Sequence, residues 1–445
     1  MTETKEIKPD RETKEKTKVG NYFVSNYPPF SFWNESDIPC VDSMLNSPTP
    51  GTEPMGIYYH VPFCRKRCHF CYFRVYTDKN SNDVRRYLSA TMKELKDYAD
   101  SSYLGGRKPK FVYFGGGTPS YLSAQQLTDL TDQMKSIIPW DEAEEVTFEC
   151  EPGTLTEKKL DAIKNFGVTR LSLGVENFDD HILDINGRAH RSGEVFKAYE
   201  FARKLGFENI NIDLIAGMLE ETDENWSACI DRTLELEPDC VTIYQMEVPF
   251  NTTIYKNMKQ EGKLSAPVAD WPKKRQWVSE AFARLEEAGY TITSTCTAVK
   301  NPETTKFIYR DRLWSGADMI ALGVASFGHL GGIHYQNLTH FDQYCEAMES
   351  DSPIIRRALM TTEEERFIRE FILQWKIGKV SRSYFDKKFK INVSERYDKL
   401  FKRWKKAGDL VENGDELMLS RDALLRVDSM LHDLFLPQHQ DSRYV

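Results

Sequence analysis

The chain has 445 residues, 40% of them hydrophobic and 29% charged, and its 59 Lys and Arg against 68 Asp and Glu give a formal net charge of −9. This composition supports a sizeable core over roughly three domains and excludes a wholly disordered chain. The acidic balance argues against a broad nucleic-acid or anionic-membrane surface, and a mean hydropathy of −0.55 with no long apolar run predicts no transmembrane helix or anchor.

Residues 1–20 are rich in Lys, Glu and Thr and read as a tail with little to bury and no secretory or transit signal. Residues 21–55 mix aromatics with Pro, Ser and Asn and read as an ordered arm lying over another surface, without much regular structure. From residue 56 short apolar or β-branched runs recur at 57–61, 110–115, 145–150, 169–174, 209–215 and 240–246. Helical periodicity fills the gaps at 84–98, 123–137, 157–166, 195–205 and 224–236. This alternation predicts an α/β fold with a parallel sheet, curled by right-handed crossovers into a barrel or partial barrel, whose chemistry sits at the C-terminal strand ends. Further on, 272–289 reads as a helix, 290–295 as a strand, and the glycine-rich, apolar 314–335 as a segment closing one side of the barrel. From Thr361 a well-capped helix leads into further helices and an Asn413-Gly414 hairpin, a small winged-helix-like module. Its expected role is packing or substrate covering, not nucleic-acid binding. The predicted layout is a tail at 1–20, an arm at 21–55, a core at 56–300, a barrel-closing segment at 301–355 and a C-terminal domain at 356–445.

Nine cysteines are an odd number, and six of them are scattered, so a secreted disulfide framework is not expected and a reducing, cytoplasmic setting is. The other three, Cys64, Cys68 and Cys71, fall in one loop after the first predicted strand, spaced C-x3-C-x2-C. Three thiolates at this spacing suit a soft metal centre. A zinc site would want a fourth ligand, for which His60 and His69 are near, but no second Cys/His pair follows at zinc-finger spacing. A four-iron cluster held by three cysteines would leave one iron open. Arg65, Lys66 and Arg67 are expected to help keep the thiols ionised.

The C-x3-C-x2-C motif, with an aromatic before its last cysteine, is similar to that of the radical S-adenosylmethionine (SAM) superfamily. The flank Y-x-H-V-P-F-C (Tyr58 to Cys64) resembles the oxygen-independent coproporphyrinogen III oxidase, or HemN/HemW-like, family, and the resemblance runs from about residue 56 to the C-terminus. It implies a partial (β/α)6 TIM-type barrel, a [4Fe–4S] cluster on Cys64, Cys68 and Cys71, and one or two SAM molecules. It implies reductive cleavage of SAM to a 5′-deoxyadenosyl radical that takes a hydrogen atom from the substrate. Residue by residue, it assigns the Gly115-Gly116-Gly117-Thr118 turn to the methionine end of SAM, Glu149 and Tyr58 to SAM contacts, and Phe70 and Phe73 to the flanks of the adenine. Arg188 and Asp213 match positions near a second SAM or the substrate. Glu176 stands where the family carries a glutamine, which puts a charge in place of an amide. Phe73 stands where the oxidase proper has a fourth cysteine. The H-N-x-x-Y-W motif of the heme chaperones reads here Tyr309-Arg310-Asp311-Arg312-Leu313-Trp314, without the heme-ligating histidine. His329, His334 and His340 are nearby histidines expected to be structural.

The reading is a cytoplasmic radical SAM oxidoreductase, coproporphyrinogen dehydrogenase-like, with a tetrapyrrole as the favoured small-molecule substrate and a flavodoxin- or ferredoxin-like reductant. Arg310 and Arg312 are candidates to hold its propionates. The alternatives are a HemN-like methyltransferase or cyclopropanase, a heme chaperone, and a zinc-dependent regulator.

Overall fold

Six strands alternate with helices through the first half of the chain: β1 (Met55–Val61), β2 (Phe111–Gly116), β3 (Glu145–Cys150), β4 (Arg170–Glu176), β5 (Asn209–Ala216) and β6 (Cys240–Gln245). The computed structural model describes residues 23–49, 53–263 and 267–440. All six strands are parallel and pair in sequence order. The intervening helices begin where local chemistry stops the backbone donors from being orphaned. Asn80 with Asp83 and Ser123 with Gln126 form reciprocal capping boxes at the helices Ser81–Ala99 and Ala124–Ile137.

Each strand alternates between two environments. Ile57, Tyr59 and Val61, Val112 and Phe114, Phe148 and Cys150, Leu171 and Leu173, and Ile210 and Ile212 belong to the main apolar core. Their inward neighbours are polar and bond to one another. Asp213 accepts from Ser172 and Asn211, Thr242 donates to Asn211, and Tyr113 donates to Glu149. The period-2 pleat therefore builds an apolar outer layer and a polar lumen from one set of strands.

The sheet is not a closed barrel. Beyond β1 it continues through β9 (Asp318–Leu322), which is parallel to β1, and then through the antiparallel β10 (Phe327–Leu330), β11 (Ile333–Asn337) and β12 (Ile355–Met360). Beyond β6 it ends in β8 (Thr297–Val299) and β7 (Thr291–Ile292), so the strand expected over 290–295 is only two residues long and the chain loops out at Ser294–Cys296. The segment 314–335, expected to close one side of the barrel, instead carries the sheet outward from β1 through β9, β10 and the start of β11 and leaves it open.

A second core belongs to the C-terminal region and is centred on Phe367, Phe371, Trp375, Phe385, Phe401 and Trp404. Its first helix, Glu363–Trp375, starts with Thr362 accepting from the Glu365 amide, the cap expected from the sequence. A three-stranded sheet, β13 (Lys379–Ser381) with β14 (Leu410–Asn413) and β15 (Glu416–Leu419), completes the winged-helix-like module. The hairpin loop is Gly414-Asp415, one residue later than expected, because Asn413 still pairs with Glu416.

The expected tail at 1–20 lies outside the described residues. The arm, from Phe23 on, runs between barrel and C-terminal module, and the helix Ile38–Leu45 found there is one element the sequence reading does not foresee. Tyr27 meets His439 and Phe435, and Trp33 stacks on His334. Lys376 Nζ, fully buried, donates to Val24 O and Asp428 Oδ1 and lies over the Phe23 ring. Among the described residues no helix is long and apolar enough to cross a membrane.

Removing one partner of a buried ion pair strands the other charge, at about 3 kcal/mol or more. Asp428→Ala is therefore expected to lower the stability of the C-terminal module and to free the arm. Urea unfolding and limited proteolysis at residues 23–33 check this; unchanged stability and unchanged cleavage would show that the Lys376 pair does not hold the arm.

Candidate functional site

The site forms where β1 gives way to the cysteine loop. The glycine turn after β2 comes hard against that junction. Gly117 N donates to Val61 O at 2.7 Å, and a Cβ on Gly117 would stand 2.9–3.0 Å from the Val61 and Phe63 carbonyl oxygens. Gly116, at φ +113, lies under the His60 ring, only 2.5 Å from where its own Cβ would be. These glycines are needed for close approach and not merely for turning.

This approach delivers Thr118, whose hydroxyl donates to Cys64 Sγ at 3.4 Å. From the other side Gly187, at φ +78, packs on the His69 ring, and His69 N donates to Asn186 O. The next residue, Arg188, donates through Nη1 to Cys68 Sγ at 3.3 Å. Cys71, as a thiol, donates to the Phe73 carbonyl of its own loop. All three cysteines are unpaired and half-buried.

The expectation that Arg65, Lys66 and Arg67 keep the thiols ionised is not met at Cys64 and Cys71. Arg65 is turned away into a bidentate pair with Glu151, and Arg67 caps the Cys71 carbonyl. Burial dominates, pushing Cys64 up to about 11 and Cys71 up to about 12. As free thiols they hold their protons, and a bound metal centre would have to displace them. Among the described residues no three His, Cys, Asp or Glu side chains are grouped as ligands of one metal ion. Three cysteines on one loop fit a four-iron cluster, in which each thiolate would ligate a different iron. His69, the nearest candidate fourth ligand, is turned to the Ile185 carbonyl.

Below the loop, in the lumen, Tyr58 stacks on Tyr113 and bonds to His60 Nδ1. Glu149 accepts from Tyr113 and from Gly116 N; burial pushes its carboxyl up to about 7, against those donors. Glu176 takes a left-handed φ of +66 at a β-bulge between β4 and β5. The bulge turns its carboxylate to 3.5 Å from Arg188 Nη1, and burial pushes it up to about 7, with Arg188 opposing. Asp213, on β5, is likewise pushed up by burial.

The residues singled out from sequence thus converge, with two differences. Phe70 packs against Ile182, Ile215, Met218 and Met246, whereas Phe73 is about half exposed and rests on Tyr72. Tyr59 and Cys150 face outward, as alternation predicts; the Tyr59 hydroxyl bonds to Thr91. At the rim, Tyr72, Tyr244 and Phe250 are also exposed. Phe23 of the arm meets Tyr244 edge-on and donates its N–H to Glu247.

Arg310 and Arg312 do not reach this mouth. Their helix, Ile308–Trp314, is tied by its N-terminal amides to Glu145, at the start of β3. Arg310 is buried on Asp311 and Phe307, and Arg312 pairs with Glu144. Both belong to the opposite end of the barrel. His329 and His334 form a buried pair, with His334 bonded to Tyr27 O, and His340 bonds to Arg74. His60, considered from sequence only as a candidate fourth ligand beside the cysteine loop, is buried with Nε2 unpartnered among the described residues; its period-2 spacing from Tyr58 is the signal that could have placed it in the lumen. Sequence reasoning missed Glu247, at the C-terminal end of β6.

The radical SAM superfamily model matches residues 58–232. The chain is 29% identical over 359 residues to the heme chaperone HemW of Bacillus subtilis (strain 168), covering 80% of this chain and 91% of that protein. It is 25% identical over 330 residues to the oxygen-independent coproporphyrinogen III oxidase of Escherichia coli (strain K12), covering 72% and 71%. The solved structure of coproporphyrinogen III oxidase (HemN) from Escherichia coli, a radical SAM enzyme, matches with a TM-score of 0.79 at 21% identity over 93% of this chain and 96% of that one, which shows a common fold.

Gly116→Ala places a methyl group against His60 at a positive φ, a strain of more than about 1 kcal/mol. The expected result is a lower thermal midpoint, with faster hydrogen exchange across residues 115–118. If both are unchanged, the close approach is not required.

Proposed function

Because the chain belongs to the radical SAM superfamily, within its oxygen-independent coproporphyrinogen III oxidase (HemN/HemW-like) family, we propose that it is a SAM-cleaving oxidoreductase acting on a tetrapyrrole in heme metabolism, coproporphyrinogen dehydrogenase-like. The cofactors of this family are a [4Fe–4S] cluster and SAM. The observation that carries the reading is the convergence on the cysteine loop of side chains from two other strand ends, Thr118 on Cys64 and Arg188 on Cys68.

Cys64, Cys68 and Cys71 would hold the cluster. Bound there, cluster and SAM supply an electron and, from it, a carbon radical able to take a hydrogen atom from a substrate C–H bond. The chain supplies the rest. The Gly115–Gly117 backbone leaves room for a ligand beside β1. Glu149 offers an acceptor to a hydroxyl or ammonium, and Tyr58 and Tyr113 give a flat apolar wall. The lumen half-buries Glu149, Glu176 and Asp213, which limits their contact with bulk water. The tetrapyrrole assignment is supported by the relatives, which include both a coproporphyrinogen oxidase and heme chaperones. The chaperone reading lacks its histidine; of the corresponding segment, Tyr309 packs on Tyr113 in the lumen, while Arg310 and Arg312 are turned to Asp311 and Glu144.

One observation favours a second reading, a HemN-like methyltransferase or cyclopropanase on a substrate without carboxylates. The mouth is lined by the carboxyl groups of Glu149, Glu176, Asp213 and Glu247, and the arginines expected to hold propionates are elsewhere. The cations of this lumen, Arg188 and Arg170, are already engaged, Arg188 by Glu176 and the Gly174 carbonyl and Arg170 over the Phe307 ring, so a polycarboxylate would have to displace those partners to be paired.

Anaerobic reconstitution is expected to give about four iron and four sulfide per chain, and, with a flavodoxin or dithionite as reductant, 5′-deoxyadenosine from SAM. Cys68→Ala should abolish both; retained cleavage would remove the cluster assignment. Conversion of coproporphyrinogen III decides for the first reading, and S-adenosylhomocysteine release on an apolar substrate for the second. Heme binding without SAM turnover would overturn both in favour of a chaperone.

The Glu149 carboxyl is ionised above about pH 7 and protonated below it. SAM affinity is therefore expected to weaken as pH falls through about 7, and Glu149→Gln should flatten that dependence in equilibrium titrations. A wild-type affinity that is flat across this range would take Glu149 out of the SAM site.

A further inference from the structure

Two of the three cluster cysteines are addressed by side chains from outside their loop, and one of those side chains is itself held by a buried carboxylate, Glu176. Thr118 is buried, and its hydroxyl has Cys64 Sγ as its acceptor at 3.4 Å. Arg188 Nη1 stands between two groups, Cys68 Sγ at 3.3 Å and Glu176 Oε1 at 3.5 Å. Arg188 Nη2 is fastened to the Gly174 carbonyl. The guanidinium is thereby fixed in place, with its charge shared between a cysteine sulfur and a carboxylate. Glu176 reaches it only because the β4 bulge holds a non-glycine residue at φ +66, a conformation that costs energy and persists where the surroundings impose it. Both side chains are almost out of solvent, at 11% and 12% exposure, so their charges are weakly screened.

Hydrogen bonds and positive charge at the sulfurs of an iron–sulfur cluster stabilise its more negative, reduced form, and negative charge nearby opposes this. We propose that Thr118, and Glu176 acting through Arg188, are positioning residues that set the reduction potential of the cluster held by Cys64, Cys68 and Cys71, in opposite directions. Thr118 raises the potential by donating to Cys64. Glu176 lowers it by neutralising the guanidinium that donates to Cys68. The glutamate that replaces the family's glutamine is then a redox adjustment. It acts on the cluster and not on a substrate. This inference rests on the cluster reading given above.

The test is a one-electron redox titration of the reconstituted full-length protein, without SAM, followed by electron paramagnetic resonance. It is run at about pH 8.5, where the Glu176 carboxyl is ionised. Thr118→Val should shift the midpoint to more negative potential and Glu176→Gln to more positive potential, while Thr118→Ser, which keeps the donor, should match wild type. Unspecific damage to the site would move both variants the same way. Unchanged midpoints, or shifts of the same sign, overturn the proposal. If Thr118→Val loads less iron than wild type, Glu176→Gln, which touches no cysteine, decides by itself. A wild-type protein that assembles no four-iron cluster would overturn the underlying reading of the site instead, and iron analysis separates that outcome from the others.

Discussion

The contact on which the site depends is the backbone approach of the Gly116-Gly117 turn to the end of β1. Parallel pairing of β1 and β2 runs right to the last residues, His60 with Gly115 and Val61 with Gly116, and Gly117 N then closes on Val61 O. Any side chain at 117 would collide with the carbonyls that launch the cysteine loop. That one approach sets the height of Thr118 under Cys64 and the position of the open backbone beside the lumen. Gly187 plays the matching part from the other side, seating the Arg188 turn on His69.

The electrostatics follow from the polar lumen. Glu149, Glu176 and Asp213 all point into a space enclosed by the sheet, and burial raises each of them. They are kept from mutual repulsion by specific partners: Tyr113 and Gly116 for Glu149, Arg188 for Glu176, and Ser172 and Asn211 for Asp213. The thiols of Cys64 and Cys71 are governed in the same way. Desolvation outweighs the basic residues of their loop because Arg65 is committed to Glu151 and Arg67 to a carbonyl. A charge adjacent in sequence has little effect on a thiol when its own partner lies elsewhere.

The C-terminal module and the arm form one unit at the rim. Lys376 binds the arm at Val24, the module at Asp428 and the ring of Phe23, while Phe23 reaches Glu247 and Tyr244 at the end of β6. The wall of the mouth is thus assembled from residues more than two hundred positions apart in sequence.

The sequence by itself determined the local chemistry. The spacing of Cys64, Cys68 and Cys71 and the glycine triplet mark a candidate metal loop and a turn of close backbone approach, and the strand and helix periods place six parallel strands within a residue or two of their observed bounds, because pleat and helical repeat are properties of contiguous residues. Glu176 was visible as an unusual charge. Only the tertiary structure decided what these residues do to each other. It sent Arg310 and Arg312 to the far end of the barrel, because their helix is capped by Glu145 at the start of β3. It reduced the strand expected over 290–295 to two residues, and it put Phe73 on the rim and His60 in the lumen. Through a bulge it brought Glu176 to Arg188, and Arg188 to Cys68. Such meetings are set by register and packing between segments distant in sequence, and no local period encodes them.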